Sequence, residues 1–209
     1  PNHYLSDGLT ALPPDGFTFR IGVTTIVDCG GAGWKNFETF KKNVIEPSKT
    51  RVLSFMNIVG EGMRGGAWEQ NTSDMDGKLK KYVVGFKVAH YGSRDWIPID
   101  RAVEAGRIAD MPVIVDFGGS NAFDPLSIEE LFFNRLRPGD IYTHTYAELN
   151  GARETVVNRE TREFEPFVLE AQKRGIIFDV GYGGASFEFK QAIPALAAGL
   201  YPNTISTDL

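Results

Sequence analysis

The chain has 209 residues, of which 42% are apolar and 23% charged, so it is long enough to fold around one large core. Its net charge of -5 leaves no excess of basic side chains for a phosphate backbone, which argues against nucleic-acid binding. No apolar run reaches the roughly 18 residues of a membrane span, and the first residues do not resemble a signal peptide, so we expect a cytoplasmic protein that does not bind membranes.

Seven short segments rich in Val and Ile recur along the chain, at residues 21–28, 51–57, 83–88, 112–116, 140–144, 176–180 and 204–208. Their starts are about 30 residues apart, which is the spacing of repeated βα units. Strands that are apolar on both faces and alternate with amphipathic helices indicate a parallel sheet. The intervening helical patterns lie at residues 36–45, 99–109, 127–136, 164–175 and 186–199.

Several of these helices carry boundary signals. Ser127 is followed by Glu129 and Glu130, a sequence that favours a helix start. Gly175 and Gly199 end the fourth and fifth patterns, just beyond their helices. The helix positions therefore rest on capping chemistry as well as on apolar spacing.

We predict a single (β/α)8 barrel domain of the TIM type over residues 1–209. Seven strands are one fewer than such a barrel needs, and the opening residues contain turn residues without a clear strand. We therefore expect that the chain lacks its first strand and its C-terminal end. An open doubly wound sheet also fits the alternation, but it usually has a glycine-rich phosphate loop, and "DCGGAG" at 28–33 does not have that spacing.

Each predicted strand ends in a polar or ionisable residue. In a barrel, the carboxyl ends of the strands meet at the face that carries the active site. Taken singly, Asp and Asn at strand ends often cap helices or form turns, and for Asp28 and Asn57 we favour that structural role. The strand-end residues are Asp28, Asn57, Lys87, Asp116, His144, Asp179 and Asp208.

Three of these residues suggest metal chemistry. His144 offers an imidazole nitrogen, and the carboxylate of Asp208 can bind a metal or take a proton from water. Burial disfavours the ammonium form of a lysine, and a neutral Lys87 amine could attack carbon dioxide. The carbamate so formed is an anion with two oxygens that could bridge two metal ions.

As an ordered set, the motifs resemble those of the amidohydrolase superfamily. The nearest branch is that of the dihydroorotase-like and N-acyl amino acid deacetylase-like metallohydrolases. Residues 22–63 resemble the second and third strand units of that branch, and "VVGFKV" resembles its carboxylated-lysine strand. "IYTH" resembles the sixth-strand histidine motif, "IIFDVGYGGASF" the seventh strand and "TISTDL" the eighth-strand aspartate motif.

The resemblance implies a catalytic (β/α)8 barrel of the metal-dependent hydrolase type with one or two divalent ions, usually zinc. It also implies attack of metal-bound hydroxide on an amide carbon. Lys87 would then be the bridging ligand and His144 a ligand of the second metal. Asp208 would be a ligand that also carries the proton to the leaving nitrogen. The resemblance also makes a homo-oligomer plausible.

The sequence departs from the family pattern at three places. The His-x-His pair of the first strand is absent, since the histidines are His3, His90 and His144. The fifth strand ends in Asp116 where most members have a histidine; because a carboxylate can bind zinc, we predict Asp116 as a metal ligand. Tyr182 stands where this branch usually has a histidine near the substrate, so we predict a substrate contact there.

Two further residues are predicted substrate contacts with competing interpretations. His90 follows Lys87 by three residues and could contact substrate, supplement the metal ligands or be a solvated loop histidine. Arg64 lies in a glycine-rich loop and could hold a substrate carboxylate with two hydrogen bonds, or be a surface arginine.

These observations predict a metal-dependent amidohydrolase that cleaves the C–N bond of a small N-acyl amino acid or cyclic amide. One alternative is a catalytically silent barrel of the same family with a binding or assembly role. Another is a barrel enzyme of the aldolase type, in which Lys87 forms a Schiff base as a free amine.

Overall fold

A computed structural model describes residues 13–77, 81–116, 126–149, 153–183 and 186–208, so His3 lies outside the described residues. The strands are β1 (Thr25–Gly33), β2 (Arg51–Asn57), β3 (Val83–Ala89), β4 (Val113–Asp116), β5 (Ile141–Tyr142) and β6 (Ile177–Phe178). The helices are α1 (Pro14–Thr18), α2 (Phe37–Phe40), α3 (Gly66–Glu69), α4 (Ile97–Ala109), α5 (Ile128–Glu130), α6 (Phe167–Arg174) and α7 (Phe189–Ala197). π-helical turns at Lys41–Ile45 and Leu131–Arg135 continue α2 and α5, and 3₁₀ turns lie at Phe19–Ile21 and Thr72–Asp74.

The six strands form one sheet in chain order, and all five neighbouring pairs are parallel. Sequential parallel strands with helical connections are the arrangement of a (β/α)8 barrel, so the predicted fold class is confirmed. The register aligns Asn57 with Lys87 and Ala89 with Asp116. The carboxyl ends of β2, β3 and β4 therefore meet at one edge.

Several predicted strand boundaries were wrong. Residues 19–21 form a 3₁₀ turn that ends at Gly22 with φ 73°, so the first strand begins at Thr25, and it continues to Gly33 across a bulge. β5 stops at Tyr142 because His144 has φ 56°, which is incompatible with an extended strand. The predicted boundaries of β2 were correct at both ends.

All five predicted helices are present, and the boundary signals are confirmed. The Ser127 hydroxyl accepts a hydrogen bond from the backbone N–H of Glu130 at the start of α5. Gly175, with φ 108°, ends α6 in the left-handed conformation. Among the described residues, no helix combines the length and the hydropathy needed to cross a membrane.

The core lies between the strands and the helices, and aromatic rings form its centre near β5 and β6. The rings of Phe132, Tyr142 and Phe178 are at most 1% exposed and meet edge to face. The centroid of the Phe132 ring lies 4.9 Å from that of Tyr142 and 5.3 Å from that of Phe178. This packing fixes the ends of β5 and β6, from which the chain continues to His144 and Asp179.

The predicted strand at residues 204–208 runs beside the extension of β6 without forming a regular strand. Thr204 makes a single parallel bridge with Asp179, and its carbonyl accepts a hydrogen bond from the N–H of Val180. The buried Asp179 carboxylate also accepts hydrogen bonds of 2.7 Å each from the hydroxyls of Thr143, Thr204 and Ser206. Asp179 therefore ties together the segments that carry His144 and Asp208.

We expect Asp179→Ala to lower the free energy of unfolding by roughly 3 kcal/mol, because three hydroxyls lose their acceptor. Thr204→Val removes one of these bonds and should cost about 1 kcal/mol. Urea unfolding of the full-length variants measures both values. Equal stability of Asp179→Ala and the wild type would show that the three hydrogen bonds to this carboxylate do not stabilise the fold.

Candidate active site

Five predicted site residues line one cavity of about 140 Å³ at the carboxyl ends of the strands. Met63, Leu149 and Ser186 complete its lining within the described residues, and the five are Lys87, His90, Asp116, His144 and Asp208. Three of the five side chains are buried, whereas Asp208 and His90 are 35% and 47% exposed. The site is thus closed at its base and accessible at its rim.

Oxygen Oδ2 of Asp116 is the point on which the nitrogens of this cavity converge. Nε2 of His144 and Nε2 of His90 each lie 3.2 Å from it, and Nζ of Lys87 lies 3.8 Å away. Nε2 of His144 is also 3.8 Å from Oδ2 of Asp208. Strand β4, which the sequence comparison matched to the fifth strand of the family, ends in Asp116 and therefore supplies the central group of the cluster.

Hydrogen bonds at the far side of each ring determine how these imidazoles face Asp116. Nδ1 of His144 lies 2.7 Å from the carbonyl oxygen of Gly181, and Nδ1 of His90 lies 3.0 Å from Oε2 of Glu69. A carbonyl and a carboxylate only accept, so each Nδ1 carries a proton. Each Nε2 then faces the acceptor Asp116 Oδ2, and attraction requires either a second proton on that nitrogen or a cation between the two atoms.

The charges of the cavity stabilise one another. Burial alone would raise the pKa of Asp116, but the Lys87 cation, together with His144 and His90, holds it well below its usual range. Hydrogen bonds to Asp116 and then to Glu69 raise the pKa of His90 to about 10. Without a bound cation, the site is therefore a network of ion pairs.

The donor atoms suit a divalent cation in type, and their separations can be compared with those between zinc ligands. Among the described residues, no group of three or more His, Cys, Asp or Glu side chains is already arranged to hold a metal ion. Ligands placed tetrahedrally around zinc at about 2.1 Å lie roughly 3.4 Å from each other. Asp116 Oδ2 lies 3.2 Å from Nε2 of His144 and from Nε2 of His90, and 3.8 Å from Nζ of Lys87. These distances are close to the separation expected between two zinc ligands.

Unusual backbone conformations occur at three of these residues. His90, His144 and Asp208 have φ of 54°, 56° and 51°, in the left-handed region that non-glycine residues seldom adopt. Such conformations persist where surrounding contacts enforce them, and they cluster at functional sites. In each case the left-handed residue lies just after strand-like backbone, where the chain turns at the rim.

Glycines allow the backbone to pass close to the site side chains. At Gly30, with φ 88°, an added Cβ would lie 2.6 Å from Cβ of Lys87. At Gly181 it would lie 2.6 Å from Nδ1 of His144. Any side chain at these positions would therefore displace a residue of the cavity.

The remaining strand-end residues hydrogen-bond to the main chain and to hydroxyls. The Asn57 amide donates to the carbonyl of Gly30 and accepts from the N–H of Val59. Oδ2 of Asp28 accepts from the N–H groups of Gly30 and Gly31. These two residues shape the loops under the cavity and do not line it.

Two predicted substrate contacts lie apart from the cavity lining. The Arg64 guanidinium pairs with Glu61 at 3.0 Å and packs over Trp68, so it would have to leave Glu61 to bind a substrate carboxylate. Tyr182 is 62% exposed and packs against Phe187. Sequence reasoning missed Glu69, which the structure brings to His90 from α3 and which no motif marks.

Comparison with known proteins identifies relatives of this barrel. Over 203 residues the chain is 33% identical to a deacetylase of Agrobacterium fabrum, an alignment that covers 90% of this chain and 48% of the relative. The crystal structure of an adenine deaminase matches with a TM-score of 0.81 and 26% identity, over 94% of this chain and 54% of that one. The crystal structure of a dihydroorotase matches with a TM-score of 0.73 and 33% identity, over 90% of this chain and 51% of that one.

These relatives indicate the amidohydrolase superfamily. It spans about half the length of the deacetylase, the deaminase and the dihydroorotase that it matches. No protein-family model matches the sequence. The family assignment thus rests on sequence similarity to the deacetylase and on similarity in both sequence and fold to the deaminase and the dihydroorotase.

We expect Gly30→Ala to destabilise the protein more than Gly22→Ala does. Both glycines have positive φ, but an added Cβ at Gly22 meets no atom within 4 Å. Gly22→Ala should therefore cost only backbone strain, about 1 kcal/mol. Gly30→Ala should cost roughly 1–3 kcal/mol more, because Lys87 must move. Unfolding free energies of the two variants give the difference, and equal losses would contradict the crowding at Lys87.

The buried carboxyl group of Asp28 should make the stability of the protein depend on pH. Burial raises the pKa of Asp28 to about 6, against the lowering effect of its hydrogen bonds, and its Oδ1 has no hydrogen-bond partner in the described part of the chain. The folded protein then holds this proton more tightly than the unfolded chain does. The protonated Asp28 therefore contributes to the free energy of unfolding in full below about pH 4. This contribution is lost as the pH rises through 6, and the loss is roughly 3 kcal/mol.

Asp28→Asn should remove that loss, so the difference in unfolding free energy between variant and wild type should change between pH 4 and 6. The matched control is Asp15→Asn, because hydrogen bonds from the backbone N–H groups of Lys49 and Thr50 lower the pKa of Asp15. The control should retain the fall between pH 4 and 6. A constant difference between Asp28→Asn and the wild type would exclude a raised pKa.

Proposed function

We propose that the full-length protein is a metal-dependent amidohydrolase that cleaves the C–N bond of a small N-acyl amino acid or cyclic amide. Membership of the superfamily supports hydrolysis of a C–N bond, and the deacetylase relative favours an acyl amide. A cavity of about 140 Å³ with an accessible rim suits a small substrate.

The observation that carries the proposal is the pair of imidazoles aimed at Asp116. Nε2 of His144 and Nε2 of His90 lie 3.2 Å from the same carboxylate oxygen. Each Nδ1–H donates a hydrogen bond, from His144 to the Gly181 carbonyl and from His90 to Glu69. Rings fixed in this way present their Nε2 lone pairs to a cation. We propose that Asp116 and His144 would hold the ion, for which zinc is the expected identity.

Lys87 would be the third ligand, as a carbamate. The Lys87 ammonium would first lose one proton. The neutral Nζ would then form a bond to the carbon of carbon dioxide, one C=O π bond would open to a carboxylate oxygen, and Nζ would release a second proton, so that an anion with two oxygens replaces a buried cation. The 3.8 Å distance between Nζ and Asp116 Oδ2 leaves room for an ion to separate the two groups. This change removes the repulsion that an ammonium group would exert on a metal ion.

A bound divalent ion would supply Lewis-acid activation of a water molecule and of the amide carbonyl. Asp208 would move the proton in this reaction. Its carboxylate is 35% exposed and lies at the cavity, so it can accept a proton from the attacking water and donate it to the leaving nitrogen. The hydrogen bond from Nδ1 to Gly181 would keep His144 oriented throughout.

The test is metal analysis of the full-length protein together with its Lys87→Met variant. We expect at least one divalent ion per wild-type chain, a mass increase of carbon dioxide on Lys87, and hydrolysis of N-acetyl amino acids. Lys87→Met should lose the ion and the activity. Lys41→Met is the control, because Lys41 pairs with Glu38 and Glu46 on the surface and should keep both.

Less than about 0.2 equivalents of zinc, manganese or iron in the wild type would contradict the proposal and favour a silent barrel. Borohydride trapping of a carbonyl compound on Lys87 would instead favour the Schiff-base alternative.

A further inference from the structure

The histidine that follows β3 is held in place by the loop that follows β2. Glu69 lies at the end of α3 and is only 4% exposed, and its Oε2 lies 3.0 Å from Nδ1 of His90. Its other oxygen, Oε1, accepts a hydrogen bond of 2.9 Å from the N–H of Gly65. A buried carboxylate with one oxygen fixed by its own loop can hold the imidazole in a single orientation.

Gln70, the residue after Glu69, hydrogen-bonds to the backbone at His90. The Gln70 side-chain amide donates to the carbonyl oxygen of His90 at 2.7 Å. The Oε1 atom of Gln70 accepts from the N–H of Gly92 at 2.8 Å. Glu69 and Gln70 thus fix both the ring and the main chain of His90, although the His90 side chain is 47% exposed. A solvated loop histidine would have no need of this support.

The ring of His90 is aimed at the same atom as the ring of His144. Both Nε2 atoms lie 3.2 Å from Asp116 Oδ2, and both residues have the left-handed backbone, with φ of 54° and 56°. The carboxylate-to-histidine bond at Nδ1 is the arrangement that fixes metal-binding imidazoles in proteins. His90 and His144 therefore present the same kind of nitrogen to one carboxylate oxygen, at the same distance.

We propose that His90 is a metal ligand through Nε2 and that Glu69 is the positioning residue that selects its tautomer. This inference rests on the proposed function, because it requires the protein to hold a divalent ion. The loop after β3 would then supply an imidazole ligand, whereas strand β4 ends in the carboxylate of Asp116. The proton on Nδ1 remains with the Glu69 hydrogen bond, and the Nε2 lone pair is directed to the ion.

The experiment measures zinc binding by the full-length protein and its variants, in competition with a chromophoric chelator. We expect His90→Ala to weaken zinc binding about 10- to 100-fold, and Glu69→Gln to weaken it about 10-fold. Glu69→Gln keeps the shape of the side chain but turns an amide N–H towards Nδ1, which favours the tautomer with the proton on Nε2. Glu104→Gln is the matched control, because Glu104 pairs with Arg107 on the surface of α4, and it should bind zinc as the wild type does.

Two spectroscopic readouts separate ligation from a structural role. Replacement of zinc by cobalt should give a visible spectrum that changes in His90→Ala and remains unchanged in Glu104→Gln. Long-range ¹H–¹⁵N spectra of the imidazoles should show a shift of His90 Nε2 when zinc is added to the wild type. Thermal melting of each variant without metal establishes that it is folded. If His90→Ala does not fold, the comparison of Glu69→Gln with the wild type still tests the inference.

If the wild type binds zinc and His90→Ala binds it equally tightly with an unchanged cobalt spectrum, His90 is only an ion-pair partner of Asp116 and the inference is overturned. The proposed function would survive that result. If the wild type binds no divalent ion at all, both proposals are overturned.

Discussion

The buried carboxylate of Asp116 determines the arrangement of the whole barrel mouth. A carboxylate that is 6% exposed would be costly without compensation, and here one oxygen is approached by an ammonium and two imidazoles. Lys87 is equally dependent on Asp116, because it is 3% exposed and this carboxylate is its ion-pair partner. Removal of either residue would leave an uncompensated buried charge, which is more damaging than loss of the pair.

That interaction also couples elements that are far apart along the chain. Lys87 lies on β3, Asp116 ends β4, and His144 follows β5. Asp208 lies beyond the segment that Asp179 ties to β6 through Thr204 and Ser206. The strands are parallel and in chain order, so each delivers its last side chain to one edge. The sheet topology thus makes the cluster possible, and charge compensation holds it together.

Much of this arrangement could be predicted from the sequence because local patterns determine it. The bounds of β2 follow from its run of apolar and β-branched residues, and Ser127 and Gly175 mark helix ends by capping chemistry. Once parallel strands are assigned, residues at their carboxyl ends must lie near one another. Lys87, Asp116 and His144 could therefore be grouped before any distance was known.

The contribution of Glu69 could not be predicted, because it depends on how a loop returns over its neighbour. Glu69 lies on a four-residue helix without apolar spacing, and its contact with His90 spans two βα units. The interpretations of His90 could not be separated from the neighbouring residues either, because its contacts come from Glu69 and Gln70 in the loop after β2. Nor could the sequence show that β1 begins at Thr25, because the turn before it is ended by the left-handed Gly22.

The left-handed backbone at His90, His144 and Asp208 bears on how such a site survives mutation. Each non-glycine residue in that conformation gives up about 1–2 kcal/mol that glycine would not. Selection for thermal stability alone would therefore favour glycine or asparagine at all three positions and would erase the imidazoles and the carboxylate. The positive φ at these three positions is therefore a cost in folding stability that falls on residues lining the cavity.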